Sequence, residues 1–276
     1  MFGKLHFVGK SRLRVTRPES VYFYTLHKCA SSLFSDYVLK NVRRLRLIDY
    51  EDRFYNGDPV ECVTFKEKGF IYGPIRLLTD PPSAIYARFI EPASRTDFIR
   101  DKIAIFLIRD PRDIVVSSYY SFGYTHGFST VKELEEQQRQ AQELIRRKTI
   151  DAFALEVAAA TLNHFHTIDR LSQACNRGIV LKYEDMIDNW EKFSSGLTKY
   201  LDIGRKTLRH TYEETRPLEN ETEMGHRRSG RPGAHRDKLL ASTVEALNII
   251  FAPVLTRFHY ESRDRSPATA TNYTCR

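Results

Sequence analysis

Six consecutive residues carry the clearest chemical signal in the sequence: His27-Lys28-Cys29-Ala30-Ser31-Ser32, a lysine and two hydroxyls at the entrance of a helix-like run. Amides at a helix start and the positive end of its dipole favour an anion, serine hydroxyls add donors, and lysine supplies a mobile charge. The segment fits a phosphate grip, and it fits an N-capped helix beside a surface lysine equally well. It is not a Walker A loop, because GxxxxGK[ST] needs two glycines and a lysine directly before the hydroxyl. No acidic residue is obviously placed to hold Mg²⁺, which argues for transfer chemistry without a metal. A second set begins at Arg109-Asp110-Pro111-Arg112-Asp113 and continues through Ser117 and Ser118. Arg109 can fork onto a phosphate. On a helix starting at Pro111, one serine faces the ligand and the other faces core or solvent. The alternative is a surface cluster in which Arg109 and Arg112 pair with Asp110, Asp113 or other acids.

Both sets need a strand in front and a helix behind. Val21 to Leu26 is rich in β-branched and aromatic residues and reads as a buried strand before a helix over Ser32 to Lys40. Ile103 to Ile108 is the most apolar strand, and Asp110 as N-cap with Pro111 at the first helical position starts the helix behind it. A third unit follows: Asp151 to Cys175 is an amphipathic helix ended by Gly178, Ile179 to Tyr183 is a strand, and Glu184-Asp185 precedes a helix near Asp188. Further strand candidates are Leu45 to Ile48, Val60 to Phe65, Phe70 to Ile75 and Ala84 to Ile90. Lys132 to Lys148 reads as an exposed helix or lid, and Ser242 to Arg257 as a last amphipathic helix.

Strands alternating with helices imply an α/β class: one domain with a mainly parallel central sheet flanked by helices. Such sheets bind ligands beyond the carboxyl ends of their strands, where the polar residues of all three units fall. The domain spans residues 1–262, and 263–276 reads as a disordered tail.

Composition narrows the class of ligand. A formal net charge of +8 attracts polyanions, which suits a nucleotide, a nucleic acid or an acidic glycan. Cys29, Cys62, Cys175 and Cys275 form no CxxC pair, so reduced thiols are expected. No run of 18 apolar residues occurs and the first residues lack signal-peptide character, so a cytoplasmic protein without a transmembrane segment is expected. The nine histidines show no HxxxH or HExxH spacing and give no reason to propose a metal.

The pairing of IRDPRDIVVSSYYSF with the upstream HKCASSLF resembles the sulfotransferase family, whose members bind 3′-phosphoadenosine 5′-phosphosulfate (PAPS). LKYEDM at Leu181 to Met186 is similar to the family's YEDM strand end, and Arg228 to Gly233 to its late RxGxxG loop. The four matches come in family order from Tyr22 to about Lys238. The resemblance implies a P-loop-NTPase-like sulfotransferase fold and transfer of a sulfuryl group from PAPS to a hydroxyl or amine, with adenosine 3′,5′-bisphosphate as product. It places Lys28, Cys29, Ala30, Ser31 and Ser32 around the 5′-phosphosulfate, with Lys28 beside the bridging oxygen. It places Arg109 and Ser117 on the 3′-phosphate, Arg228, Ser229 and Gly230 over that same phosphate, and Tyr183 against the adenine.

Two departures stand out. Ala30 stands where the family loop has glycine, and AIYARFIE at Ala84 to Glu91 lacks the histidine that many cytosolic members carry there. Glu91 and His126 are the candidates for the base, and His27 sits close to the loop. The acceptor is a small molecule, lipid or glycan, with no nucleic acid expected. Two rival readings are a nucleotide-dependent kinase, which would need Mg²⁺, and a nonenzymatic polyanion-binding protein.

Overall fold

The two most apolar runs form neighbouring inner strands of the sheet. In the computed structural model, which describes residues 17–49, 65–76, 91–216 and 230–260, Val21–Thr25 is β1 and Ile103–Ile108 is β4. They pair in parallel with Val21 opposite Ile103 and Thr25 opposite Leu107. β2 (Arg46–Ile48), β3 (Phe70–Ile75) and β5 (Arg177–Lys182) complete a five-stranded sheet in the order β2-β3-β1-β4-β5, with every pairing parallel. Helices flank it, giving a single α/β domain. All of β1 is buried, as befits a strand covered on both faces.

Aromatic packing fixes the register. Phe23 stacks on Phe34 at 5.1 Å and Tyr24 on Phe106 at 5.1 Å, one pair beneath a helix and the other between neighbouring strands. Burying a side chain of this size contributes about 1.5–3 kcal/mol. A shift by one residue would turn these rings to the opposite faces, so the register is strongly held. Because Tyr24 lies opposite Ile75, Thr25 opposite Leu107 and Ile108 opposite Lys182, the outlets of β3, β1, β4 and β5 share one edge.

Several boundaries differ from the sequence expectation. Gly178 does not end a helix; the Ile150–Ala174 helix stops earlier, and Gly178 lies within β5 opposite Ala104. A Cβ there would meet Cys175 Sγ at 3.0 Å and the Phe106 ring at 3.2 Å, so this glycine permits close packing. After β5 the helix begins at Tyr183 and ends at Asp188, earlier than expected. Phe65 lies outside any strand and packs against Tyr22, Tyr72 and Phe98. Residues 60–64, 84–90 and the tail 263–276 lie outside the described residues. Among the described residues no helix is long and apolar enough to cross a membrane.

Candidate functional site

β1 delivers His27 and Lys28 into a turn whose backbone is unusual. Lys28 and Ala30 have φ of 64° and 61°, the left-handed region that side-chain-bearing residues enter at a cost of about 1–2 kcal/mol each. The chain then enters a helix at Ser31–Leu33, where the Phe34 amide donates to the Ala30 carbonyl at 3.0 Å. It continues as a π-helical turn, Phe34–Val38, and a 3-10 turn, Leu39–Asn41. Lys28 Nζ donates to Ser121 Oγ at 2.6 Å, which holds the ammonium across the turn. Cys29 is fully buried and its thiol is pushed up to about 12 by burial, so it is no nucleophile at neutral pH.

β4 delivers the second set. Asp110 caps the Pro111–Tyr120 helix by accepting from the Arg112 amide at 2.9 Å. Arg112 is wholly buried, and its Nε and NH2 donate to the two Asp110 oxygens at 3.0 and 2.7 Å. This pair is therefore interior, not the surface cluster the sequence left open. Glu184, in the first turn after β5, accepts from the Asp110 amide at 2.8 Å. Burial pushes its carboxyl up to about 7.

Arg109 lies in front of this network. Its NH1 donates to the Lys28 carbonyl at 3.1 Å, and its guanidinium stands 4.3 Å from the centre of the Tyr183 ring. Its Nε is buried without a hydrogen-bond partner among the described residues. The Tyr183 hydroxyl donates to the Gly230 carbonyl at 2.6 Å, tying in the segment that follows residue 229.

These groups open onto one cavity of about 390 Å³. Lys28, Ala30, Ser31 and Ser32 line it from the first unit, Arg109 and Ser117 from the second, and Tyr183 and Gly230 from later outlets. Its charged lining is Lys28, Arg109, Arg231 and Lys238 against Asp36 and Glu214, a positive balance. Ser118 is buried one residue from Ser117 without joining the lining. Arg228 and Ser229 lie outside the described residues.

The two candidate bases fall elsewhere. Glu91 is exposed at the head of a 3-10 turn, Pro92–Ser94, and does not line the cavity. His126 is exposed at the end of a π-helical turn, with its ring 5.4 Å from that of Phe122. His27 lies 5.8 Å from the same ring. Desolvation, followed by the charges of Arg76 and Lys28 and by His164 and His126, holds His27 well below the ordinary histidine value. It is neutral at pH 7.

Sequence reasoning missed Arg76. It follows β3 directly, and its NH2 donates to Ser31 Oγ in the first loop. The available signal was its position, a cation at the carboxyl end of a predicted strand. Among the described residues no group of three or more His, Cys, Asp or Glu side chains is arranged to hold a metal ion.

No family model matches the sequence, and no curated protein sequence matches it. Among solved structures, the chain is similar to the mouse sulfotransferase SULT7A1 complexed with PAP, at a TM-score of 0.55 and 11% identity, over 90% of this chain and 89% of that one. At so low an identity the likeness is one of fold: this α/β domain shares the fold of that protein.

Proposed function

We propose that this chain is a sulfotransferase that moves the sulfuryl group of PAPS to a hydroxyl or amine of a small-molecule, lipid or glycan acceptor in the cytoplasm, releasing adenosine 3′,5′-bisphosphate. The observation that carries the reading is the buried Nε of Arg109, without a hydrogen-bond partner among the described residues, in a cavity that also receives Lys28, Ser31, Ser32 and Ser117. A buried donor left unmade costs about 1–3 kcal/mol, more when charged, and a bound anion would remove that cost. Two anion sites on separate strand outlets suit a nucleotide phosphorylated at both 5′ and 3′ positions better than a continuous triphosphate. The likeness to a sulfotransferase solved with PAP supports the same donor.

PAPS, when bound, supplies an activated sulfuryl group with a phosphate as leaving group. Ser31 and Ser32 hold its 5′ end, aided by the loop amides from Cys29 and Ala30 onward. Lys28 meets the negative charge that develops on the departing oxygen, an electrostatic role for which its fixed ammonium is preorganised. Arg76 stiffens the same loop through Ser31. Arg109 and Ser117 grip the 3′-phosphate, with Gly230, Arg228 and Ser229 closing over it and Tyr183 beside the adenine. None of the three candidate bases, Glu91, His126 and His27, lines the cavity; His27, the sequence neighbour of Lys28, is the one we assign as the group that accepts the acceptor's proton. No metal is assigned a role.

Calorimetry with adenosine 3′,5′-bisphosphate and with Mg-ATP, on the wild type and on Arg109→Ala, tests the reading. Metal-independent binding of the bisphosphate, weakened about 100-fold or more in the variant, is expected for loss of a buried charged contact. A preference for Mg-ATP would overturn the reading in favour of a kinase. Binding of neither, with steeply salt-dependent polyanion binding, would favour the nonenzymatic alternative.

A further inference from the structure

Asp113 is 1% exposed, a position where a carboxylate is tolerated only when its lone pairs are filled. They are filled by a segment about 120 residues downstream. Oδ2 accepts from the Gly233 amide at 2.7 Å, and Oδ1 accepts from the His235 amide at 3.1 Å and from His235 Nδ1 at 2.7 Å. With a carboxylate as partner, Nδ1 carries the proton. Gly233 has a φ of 85°, a conformation that side-chain-bearing residues rarely adopt, as its amide meets the carboxylate. The His235 hydrogen bond and the Arg109 charge outweigh burial and hold Asp113 down to about 2, so it is ionised at neutral pH.

Asp113 also stands four residues after Arg109, and its Oδ2 lies 3.9 Å from Arg109 NH2. The contacts close a circuit. Arg109 faces Asp113, Asp113 holds Gly233 and His235, Gly230 of that segment accepts from Tyr183, and the Tyr183 ring lies against Arg109. Asp113 itself does not line the cavity, whereas Arg109, Tyr183, Gly230, Arg231, Ala234 and Lys238 do.

We propose that Asp113 is a positioning residue that locks the Gly230–Lys238 segment against the Arg109 guanidinium and thereby sets affinity for a nucleotide 3′-phosphate. The inference rests on the donor reading above. It opposes the simpler expectation from charge alone, in which deleting a carboxylate beside Arg109 strengthens anion binding. The sign of the effect therefore separates the two.

The experiment compares the affinities of adenosine 3′,5′-bisphosphate and adenosine 5′-phosphate by calorimetry in the wild type, Asp113→Asn, His235→Ala and His235→Asn. The ratio of the two affinities isolates the 3′-phosphate. The expected result is a ratio reduced about tenfold in Asp113→Asn (about 1.4 kcal/mol), reduced several-fold in His235→Ala, and restored in His235→Asn, whose amide can replace the Nδ1 donor. If Asp113→Asn does not fold, the two His235 variants decide, because they leave the Asp113 charge in place. A wild-type ratio well above one that is unchanged or larger in the variants would overturn the inference alone. A wild-type ratio near one would overturn the donor reading and the inference with it.

Discussion

The two strand-loop-helix units that meet at the cavity are built in opposite ways. Behind β4, Asp110 caps, Pro111 sits at the first helical position, and the helix runs regularly from Pro111 to Tyr120 with almost every residue buried. Behind β1, two residues with side chains occupy left-handed backbone, and the helix passes within three residues into π-helical and 3-10 turns. The first arrangement follows from local chemistry, and the second is imposed by the surroundings. Sheet pairing on both sides of β1, the Lys28–Ser121 bond and the Arg76–Ser31 bond hold a turn that the local sequence disfavours. Backbone held in such regions clusters at functional sites, where strain and preorganisation go together.

The sharpest way to break the contrast is to remove the cap. Asp110→Ala deletes the N-cap and leaves Arg112 buried without its carboxylate, and loss of one partner of a buried pair costs about 3–5 kcal/mol. Denaturant unfolding reads this; a loss below about 1 kcal/mol would mean that the remaining contacts of Arg112, its bond to Asn248 among them, suffice.

In the strained unit the same kind of change should strike turnover more than folding. Lys28→Ala is expected to lower sulfuryl transfer from PAPS about 10²- to 10³-fold while bisphosphate affinity changes by less than tenfold. A parallel loss of affinity and rate would make Lys28 a binding residue only. His27→Asn should lower turnover about 10²-fold. The pH profile supplies the sign: a base held below the ordinary histidine value is already neutral at pH 6.5, so the wild-type rate falls only at more acidic pH. A rate still climbing from pH 7 to 8 would remove His27 from the role.

The smallest effect is expected at Ala30. Replacing it with glycine relieves the left-handed strain but loosens the unfolded chain, and the two nearly offset, for a net gain of about 0.5 kcal/mol. Thermal unfolding that showed a loss of 1 kcal/mol or more would contradict strain at this position.

Legibility in the sequence follows the same division. Ile103–Ile108, the Pro111 helix start and Phe70–Ile75 were read to the residue because apolar β-rich runs, Asp-Pro caps and turn residues act locally. The loop's Lys28, Ser31 and Ser32 were marked by residue type, but their backbone was not, since only tertiary contacts explain left-handed Lys28 and Ala30. Arg76 carried no flanking motif, and the partnership of Asp113 with His235 spans 122 residues with no local trace of either end. Glu91 follows residues 84–90, which lie outside the described residues, and it stands exposed where Pro92 begins a 3-10 turn.

The most direct test of the central claim is a crystal structure of the chain with adenosine 3′,5′-bisphosphate. The account predicts the 3′-phosphate within hydrogen-bond distance of Arg109 Nε and Ser117, and the 5′-phosphate against the Lys28–Ser32 loop. A nucleotide bound in the reverse orientation, or outside the cavity with Arg109 Nε still unpartnered, would contradict it.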